Sequence, residues 1–289
     1  MKPEIIYIET TNLCNANCIM CPHSKIERNP SIMRDEIFYK VIEHLKEAAV
    51  KGKQIFLHKE GEPLLDPQIM ERIAYADRML GQYNEIGINT NAMLLDGKKA
   101  KQLLESGIGT VYFSVDGVSK KEYEAIRINL NFETVVENIK HFFKLHQQKK
   151  SKVRVIMQML IQNDDSNSAE AFKNMWKKYP CEFYIKKMHG YLDGGHSSQT
   201  LKRSHSQVNT CTDPNRIEVV FTDGNVGLCC WDYNNEYNIG NVMEDSLITL
   251  FNNERANHLR RSLDRYEGEK IVPCNRCARI FGSDEISKY

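Results

Sequence analysis

Residues 5–21 read IIYIETTNLCNANCIMC, a short apolar run followed by a loop crowded with cysteines. The run at 5–8 has the length and composition of a buried strand. Three thiols come after it, at Cys14, Cys18 and Cys21, with the spacing C-x3-C-x2-C. In α/β folds the loops that follow parallel strands carry the functional sites. The stretch therefore predicts the first strand of such a fold, with a metal centre at its end.

Strand and helix signals alternate from this stretch to about residue 186. Strand-like runs lie near 54–58, 84–89, 110–115, 153–161 and 182–186. Helical periodicity is found near 35–49, 67–80, 96–106, 132–146 and 168–178. Six strands separated by helices predict a parallel sheet with helices outside it. We expect an α/β fold with a partial (β/α)6 barrel over residues 1–188.

The pattern changes after residue 188. A polar, loop-like segment is followed by RIEVVFTDGNVGLCC at 216–230, in which Asp223-Gly224 separates two alternating segments. This arrangement predicts a β-hairpin. A helical stretch near 246–264 and the sequence PCNRC at 273–277 complete the chain. We expect a small C-terminal domain over 189–289, built on the hairpin and the helix.

Composition limits the classes of partner. The chain has 289 residues, 39 basic and 38 acidic side chains, and a net charge of +1. This balance argues against nucleic acid or an anionic membrane as the main partner. No run of about 18 apolar residues predicts a transmembrane helix, and the apolar run at the N-terminus is too short for a signal peptide. A cytoplasmic protein is expected.

The chain contains nine cysteines, most of them clustered. The odd count and the chain length argue against a disulfide framework. A [4Fe–4S] cluster has four irons that each take one external ligand, so three thiolates leave one iron open to a cofactor or substrate. Zinc, with a fourth ligand such as His23, is the competing interpretation.

The C-x3-C-x2-C spacing resembles the signature of the radical S-adenosylmethionine enzymes, and further motifs extend the resemblance. Gly61-Glu62-Pro63 resembles the family's G-E-P motif, NTNA at 89–92 its T-N-G segment, and SVDG at 114–117 its S-x-D-G. The resemblance implies that S-adenosylmethionine is bound by Gly61, Glu62, Pro63, Asn91, Ser114 and Arg127.

Two positions depart from the family pattern. Met20 replaces the usual aromatic residue before the third cysteine, and the resemblance implies that it covers the adenine. Glu60 replaces the usual glycine before G-E-P. Glu60 is either a substrate ligand or a solvated charge, and the sequence leaves the two open.

The family resemblance implies a radical reaction. S-adenosylmethionine chelates the open iron, and one electron from a flavodoxin- or ferredoxin-type donor leads to its cleavage. The 5′-deoxyadenosyl radical then abstracts a hydrogen atom from the substrate. Charged side chains at the barrel mouth favour a small polar substrate such as a sugar or an aminocyclitol.

A second set of thiols lies in the C-terminal region, at Cys211, Cys229, Cys274 and Cys277, with Cys230 able to replace Cys229. Four thiolates hold either zinc or a [4Fe–4S] cluster. Their arrangement resembles the auxiliary-cluster domains called SPASM in the long form and twitch in the short form. No cysteine follows Cys277, so the resemblance implies the one-cluster form and two [4Fe–4S] clusters in all.

The resemblance leaves several activities open. In a dehydrogenase the substrate radical is oxidised to a ketone through the auxiliary cluster, and His189 is the candidate base. In an epimerase acting on a carbohydrate or peptide, Cys230 returns a hydrogen atom to the substrate. A peptide-modifying maturase is the third option, and a zinc-stapled binding protein is the non-enzymatic one. The cysteine spacings resemble those of a family dehydrogenase that acts on an aminocyclitol.

Overall fold

Helices and strands alternate along the chain as the sequence predicts. The computed structural model describes residues 1–161, 166–187, 192 and 208–281. The strands are β1 (Ile5–Ile8), β2 (Asn17–Cys18), β3 (Gln54–Phe56), β4 (Glu85–Thr90), β5 (Thr110–Ser114), β6 (Arg127–Ile128), β7 (Arg154–Ile161), β8 (Glu182–Lys187), β9 (Ile217–Val220), β10 (Asn225–Gly227) and β11 (Gly240–Asn241). The helices are α1 (Asp35–Glu47), α2 (Ile69–Leu80), α3 (Gly97–Glu105), α4 (Lys120–Ile126), α5 (Phe132–Gln148), α6 (Ser166–Trp176), α7 (Leu247–Phe251) and α8 (Glu254–Asp264).

The sheet has the order β11-β10-β9-β1-β3-β4-β5-β7-β8. From β1 to β8 every neighbouring pair in this order is parallel. The connections between these strands contain helices, as parallel pairing requires. The predicted α/β fold with six parallel strands is therefore confirmed. The short strands β2 and β6 form a separate antiparallel ribbon.

The helices cover one face of this sheet because each has an apolar stripe at helical spacing. In α5, Val135, Ile139 and Phe142 are fully buried. The helix begins after Asn131, whose side chain accepts a hydrogen bond from the backbone N–H of Thr134 at 2.9 Å. Such a cap satisfies one of the four free N–H groups at a helix start.

Aromatic side chains line the other face of the sheet. The rings of Tyr7 and Phe56 are 5.4 Å apart, those of Phe56 and Tyr112 are 5.8 Å apart, and those of Tyr112 and Tyr184 are 6.4 Å apart. Because side chains alternate between faces along a strand, neighbours such as Ile6 point instead into the helix-covered core. The aromatic layer forms a floor below the carboxyl ends of the strands.

The predicted hairpin forms, and it extends the barrel sheet. β9 and β10 pair antiparallel, and Gly224 in the turn between them has φ of +86°. β9 also lies parallel to β1, with Ile5 opposite Ile217 and Ile8 opposite Val220. The C-terminal region therefore continues the sheet that carries the first cysteine loop. The expected domain boundary, residue 188, lies outside the described residues.

The helical stretch predicted near 246–264 is helical in the structure, but it is divided into two helices. α7 ends at Phe251 and α8 begins at Glu254. The side chain of Asn253 accepts a hydrogen bond from the N–H of Ala256 at 2.8 Å, which makes Asn253 the cap of a new helix. Within the described part of the chain, no helix combines the length and the apolar character needed to span a membrane.

Candidate active site

The first cysteine loop follows β1 at the carboxyl edge of the sheet. Cys18 lies in β2 and pairs with Arg127 in β6, and the N–H of Cys21 donates to the carbonyl of Cys18 at 3.0 Å. Cys14, Cys18 and Cys21 are all free thiols. Burial raises the pKa of Cys14 to about 11 and that of Cys21 to about 12. Thiolates in such a site need compensating positive charge.

Glu62 makes three hydrogen bonds beside this loop, to the end of β4, to the residue that follows it and to the turn after β3. Its carboxylate accepts hydrogen bonds from Thr90 Oγ1 at 2.6 Å, from the N–H of Asn91 at 2.8 Å and from the N–H of Leu64 at 3.1 Å. It caps a short 3₁₀ turn that begins at the buried Pro63. Burial raises the pKa of Glu62 although these hydrogen bonds oppose the shift. The motif residue therefore orders the ends of β3 and β4.

Gly61 allows this turn to lie against the cysteine loop. A Cβ atom at Gly61 would stand 2.3 Å from the carbonyl oxygen of Thr11 and 2.7 Å from that of Leu13. Asn91 makes a second contact with the loop, since its Nδ2 donates to Asn15 Oδ1 at 2.8 Å. The structure thus brings the G-E-P and T-N segments onto the loop that carries the thiols.

A row of hydrogen-bonded polar side chains crosses the carboxyl edge of the sheet from β3 to β7. His58 Nδ1 accepts from the N–H of Asn89 at 3.1 Å, and Ser114 Oγ donates to Asn89 Oδ1 at 2.7 Å. Gln158 Nε2 donates to Ser114 Oγ at 3.3 Å. Ser114 is therefore held by side chains on the two adjacent strands.

Arg127 forms a buried ion pair beside the first thiol set. Its Nη2 and Nε lie 2.5 Å and 2.7 Å from Asp116 Oδ2, and its Nη1 lies 3.8 Å from Cys18 Sγ. Asp116 is fully buried and also accepts from the N–H of Leu160 at 2.7 Å. Asp116 stands inside the S-V-D-G motif, and that motif is the signal by which it could have been predicted. Met20 is 6% exposed and packs in the core.

A cleft of about 400 Å³ lies next to these motifs. Its walls come from the cysteine loop, the end of β5, α4 and the end of β7, and include Ile19, Gly117, Ile126 and Met159. These residues are mostly apolar, which suits a flat organic group with polar edges.

The C-terminal thiols Cys211, Cys229, Cys274 and Cys277 lie near one another. Burial raises the pKa of Cys229 well above its usual value, and the charges of Cys230, Cys277 and Cys211 add to the shift. Burial likewise raises the pKa of Cys274 to about 12, with further effects from Cys277 and Cys211. The structure therefore brings these four sulfurs into one neighbourhood.

Cys230 contacts two groups of buried side chains. It packs against the main core, as Cys229 does, and also against the group formed by Ile217, Val219 and Phe221 on the inner face of the sheet. Burial raises its pKa to about 12, the charges of Asp213 and Glu60 add to the shift, and those of Lys59 and Arg279 oppose it. Cys230 thus lies between the second thiol set and the Lys59–Glu60 pair.

Arg279 was not among the predicted residues, and it contacts the second thiol set. Its Nη1 lies 3.9 Å from Cys211 Sγ and forms an ion pair with Asp213. Its guanidinium lies 4.4 Å from the ring centre of Trp231. Arg279 follows Cys277 by two residues, and Asp213 follows Cys211 by two. Their closeness in sequence to the predicted cysteine ligands is the signal by which they could have been predicted.

Two cations, Arg28 and Lys59, lie 4.5 Å and 5.8 Å from the ring centre of Phe221, near the carboxyl ends of β1 and β3. Arg28 pairs with Glu9, and Lys59 pairs with Glu60. The side chain of Glu60 is 9% exposed, so it is not a freely solvated charge. His189, the candidate base, lies outside the described residues.

The donor chemistry of the two thiol sets fits iron–sulfur clusters. Over the described ranges, no group of three or more His, Cys, Asp and Glu side chains is already arranged to hold a metal ion. Each set nevertheless supplies free, largely buried thiols, and Arg127 and Arg279 place positive charge beside a sulfur of each set. Buried thiolates with such neighbours are the usual ligands of these clusters.

Two family models match the chain. The model of the radical SAM superfamily matches residues 8–169, and the model of the iron–sulfur cluster-binding domain called SPASM matches residues 211–278. The first match covers more than half of the chain.

Known relatives agree with these matches. The S-adenosyl-L-methionine-dependent 2-deoxy-scyllo-inosamine dehydrogenase of Niallia circulans is 24% identical over 96% of this chain and 93% of its own length. The GTP 3′,8-cyclase of Clostridium acetobutylicum is 30% identical over 62% of this chain and 54% of its own length. Other curated relatives, such as one from Pyrococcus furiosus, are matched over 40% of their length.

Solved structures show the same fold. The crystal structure of BtrN in complex with AdoMet and 2-DOIA superimposes with a TM-score of 0.67 at 18% identity, covering 100% of this chain and 98% of that one. The chain belongs to the radical SAM superfamily and carries a SPASM iron–sulfur cluster-binding domain, so it is an enzyme whose cofactors are S-adenosylmethionine and [4Fe–4S] clusters.

Proposed function

We propose that this enzyme oxidises an alcohol carbon of a small polar substrate, a sugar or an aminocyclitol, to a ketone. The observation that carries the proposal is the match to a dehydrogenase of this kind along 96% of the chain. The second thiol set supports it, because a dehydrogenase needs an electron acceptor near the substrate. β9 leads to that set and pairs directly with β1, which leads to the first set.

The first thiol set and the motifs around it form the proposed cofactor site. Cys14, Cys18 and Cys21 ligate one cluster and leave one iron for S-adenosylmethionine. The cleft of about 400 Å³ takes the adenosyl part. The residues that bind and orient the cofactor are Met20, Gly61, Glu62, Pro63, Asn91, Ser114 and Arg127.

Each motif residue has a physical task in this proposal. Glu62 holds the ends of β3 and β4 in place through its three hydrogen bonds. Arg127, fixed by Asp116, places positive charge beside Cys18, which stabilises the thiolate. The buried floor of aromatic rings keeps water from the reacting carbon, which protects a radical from side reactions.

The second set, Cys211, Cys229, Cys274 and Cys277, ligates the auxiliary cluster. With both groups bound, the first site would supply hydrogen-atom abstraction and the second an electron acceptor. Oxidation of an alcohol to a ketone removes one hydrogen atom, one proton and one electron, and the protein's own part would be the base that takes the proton. His189 is the proposed base, and a flavodoxin- or ferredoxin-type protein is the proposed donor of the starting electron.

Metal content tests the cluster assignment. We expect about eight irons per chain after anaerobic reconstitution, and about four in the Cys14/Cys18/Cys21→Ala variant. Four irons together with zinc would show that the second site is structural, and the electron-acceptor role would then be wrong. Zinc alone would overturn the radical reaction as well.

Isotope transfer tests the reaction itself. With a polyol deuterated at its carbinol carbons, we expect deuterium in 5′-deoxyadenosine, and one ketone formed for each S-adenosylmethionine consumed. Deuterium transfer without ketone would exclude the dehydrogenase. The Cys14/Cys18/Cys21→Ala variant is the control and should form neither product.

An epimerase is the second candidate, and the contact of Cys230 with residues on the inner face of the sheet favours it. In that reaction the Cys230 thiol returns a hydrogen atom to the substrate carbon. The Cys230→Ala variant separates the two functions. A dehydrogenase should keep its turnover, whereas an epimerase should lose product formation while still cleaving S-adenosylmethionine.

A further inference from the structure

Two ion pairs lie together near the carboxyl ends of β1 and β3, and they differ in how fully their hydrogen-bonding positions are used. In the first, Arg28 Nη1 and Nη2 donate to the two carboxylate oxygens of Glu9 at 2.6 Å and 2.8 Å. Arg28 Nε donates to the carbonyl of Tyr233 at 2.8 Å, and Glu9 also accepts from the N–H of Thr222 at 3.3 Å. Groups of the protein itself therefore use the hydrogen-bonding positions of this pair.

The second pair, Lys59–Glu60, is not saturated. The side chains are 3% and 9% exposed, and Nζ of Lys59 donates to Glu60 Oε1. Among the described residues, this is the one hydrogen bond given to either side chain. An ammonium group has three N–H donors and a carboxylate has two acceptor oxygens. Donors and acceptor positions therefore remain for a ligand.

The pair lies in the region where the proposed substrate has to bind. Lys59 Nζ lies 5.8 Å from the ring centre of Phe221, against which Cys230 packs. The charge of Glu60 affects the pKa of Cys230 and also that of Cys21 in the first thiol set. Glu60 thus lies within electrostatic range of Cys230 and of the first thiol set. A substrate that reacts with the cofactor and then passes an electron onwards has to lie in this region.

A stabilising effect on the folded protein does not explain why Lys59 and Glu60 are buried as a pair. Burying two charges costs several kcal/mol for each ion, which the attraction between them repays only when hydrogen bonding is complete. Within the described ranges the pair makes one hydrogen bond, and it joins neighbours in sequence, so it closes no long loop. Buried donors without partners carry a further cost. A ligand that completes the hydrogen bonds would offset both the cost of burying the charges and the cost of the unpaired donors.

We propose that Lys59 and Glu60 form a substrate subsite that recognises uncharged hydroxyl groups next to the reacting carbon. A hydroxyl group can donate to the carboxylate and accept from the ammonium at once. A phosphate or carboxylate group is attracted by Lys59 and repelled by Glu60, and an ammonium group the reverse, so the paired charges give a charged ligand group little net attraction. The inference rests on the proposed function and narrows its substrate to one with neutral hydroxyls at this position.

Binding of charged and neutral probes tests the subsite. The reconstituted enzyme with S-adenosylmethionine and without reductant is titrated calorimetrically with D-glucose and scyllo-inositol, with D-glucose 6-phosphate, and with D-glucosamine. The wild type should bind a neutral probe more tightly than the charged ones. Glu60→Gln and Lys59→Met should each weaken neutral binding by about tenfold or more, as expected for losing a hydrogen bond to a charged group.

The two variants should also change selectivity in opposite directions. Glu60→Gln leaves a net positive subsite and should bind the phosphate relatively better. Lys59→Met leaves a net negative one and should bind glucosamine relatively better. Equal weakening of every probe in both variants would indicate a structural role and overturn the subsite, as would a wild type that binds neither neutral probe.

Controls separate this inference from the proposed function. Glu182 pairs with Arg154 at the opposite end of the barrel strands, and Glu182→Gln should change no probe affinity. Glu60→Gln is isosteric, so it keeps the test valid if Lys59→Met fails to fold. Iron content and isotope transfer report on the proposed function, whereas the selectivity shifts report on the subsite alone.

Discussion

Arginine side chains stand beside a cysteine sulfur in each thiol set. Arg127 Nη1 lies 3.8 Å from Cys18 Sγ, and Arg279 Nη1 lies 3.9 Å from Cys211 Sγ. Each guanidinium is held in place by a neighbouring aspartate. Charge and hydrogen bonding at ligand sulfurs are main determinants of the reduction potential of a cluster.

Replacing Arg279 should therefore change the auxiliary cluster. The reduced cluster carries one more negative charge than the oxidised one, so a cation beside it favours reduction. We expect Arg279→Gln to lower the midpoint potential by about 60 mV, which corresponds to about 1.4 kcal/mol for one electron. Redox titration followed by electron paramagnetic resonance measures the shift. Arg279→Lys keeps the charge and should change the potential much less, and an unchanged potential in Arg279→Gln would contradict the prediction.

The stability of the protein should depend on pH through His58. Burial lowers the pKa of His58 to about 3, and its Nδ1 accepts a backbone hydrogen bond from Asn89. The unfolded chain takes up a proton at His58 near pH 6.5 whereas the folded protein does not. The contribution of neutral His58 to the free energy of unfolding is therefore lost as the pH falls below about 6.5. The loss amounts to about 2 kcal/mol by pH 5.

His58→Gln removes the titrating group and keeps an acceptor. Its free energy of unfolding should therefore decrease less than that of the wild type between pH 7 and pH 5. Urea denaturation at both pH values measures the difference. The prediction is wrong if wild type and variant lose the same amount.

At the scale of elements, the contact between the G-E-P turn and the cysteine loop orders the cofactor site. The N–H of Glu62 donates to the carbonyl of Leu13 at 2.8 Å, and Gly61 leaves no space for a side chain at this contact. Two segments about fifty residues apart in sequence are thereby fixed against each other.

Gly61→Ala should separate these segments. A Cβ atom 2.3 Å from the oxygen of Thr11 forces backbone to move, which costs about 1–3 kcal/mol. We expect S-adenosylmethionine to bind at least about tenfold more weakly by equilibrium dialysis. Gly109→Ala is the matched control, because its Cβ would come no closer than 3.3 Å to the side chain of Glu85. Unchanged binding in Gly61→Ala would show that the turn tolerates displacement.

At the scale of the whole molecule, the Arg28–Glu9 pair joins the barrel to the C-terminal region. Glu9 follows β1, Arg28 lies beyond the first cysteine loop, and Arg28 also donates to the carbonyl of Tyr233. The parallel pairing of β9 with β1 reinforces this connection. The two thiol sets are thus held on one continuous framework.

Breaking this pair should destabilise the protein as a unit. We expect Arg28→Met to lower the free energy of unfolding by about 3–5 kcal/mol, because it leaves a buried carboxylate without its partner. Combining it with Glu9→Met should recover part of the loss. Arg34, 70% exposed in its pair with Glu36, is the control, and Arg34→Met should cost about 0–1 kcal/mol. Strictly additive losses in the double variant would contradict coupling of Arg28 to Glu9.

The sequence by itself predicted the parts that depend on local pattern. The alternation of apolar runs and helical periodicity predicted six parallel strands, because burial on one face leaves a period in the sequence. The turn at Asp223-Gly224 predicted the hairpin for the same local reason. The cysteine spacing and the short motifs around Glu62 and Ser114 carried the family resemblance, and the residues of the cofactor site that it implies stay a prediction.

Only the tertiary structure showed which distant residues meet. The pairing of β9 with β1 joins residues more than two hundred positions apart, and no local signal specifies such a partner. The positions of Lys59 near Phe221 and of Arg279 beside Cys211 likewise depend on how the C-terminal region packs against the barrel edge. Burial and electrostatic partners arise from packing in three dimensions, so the sequence predicted the chemistry of the thiols, whereas the fold determined the surroundings in which they act.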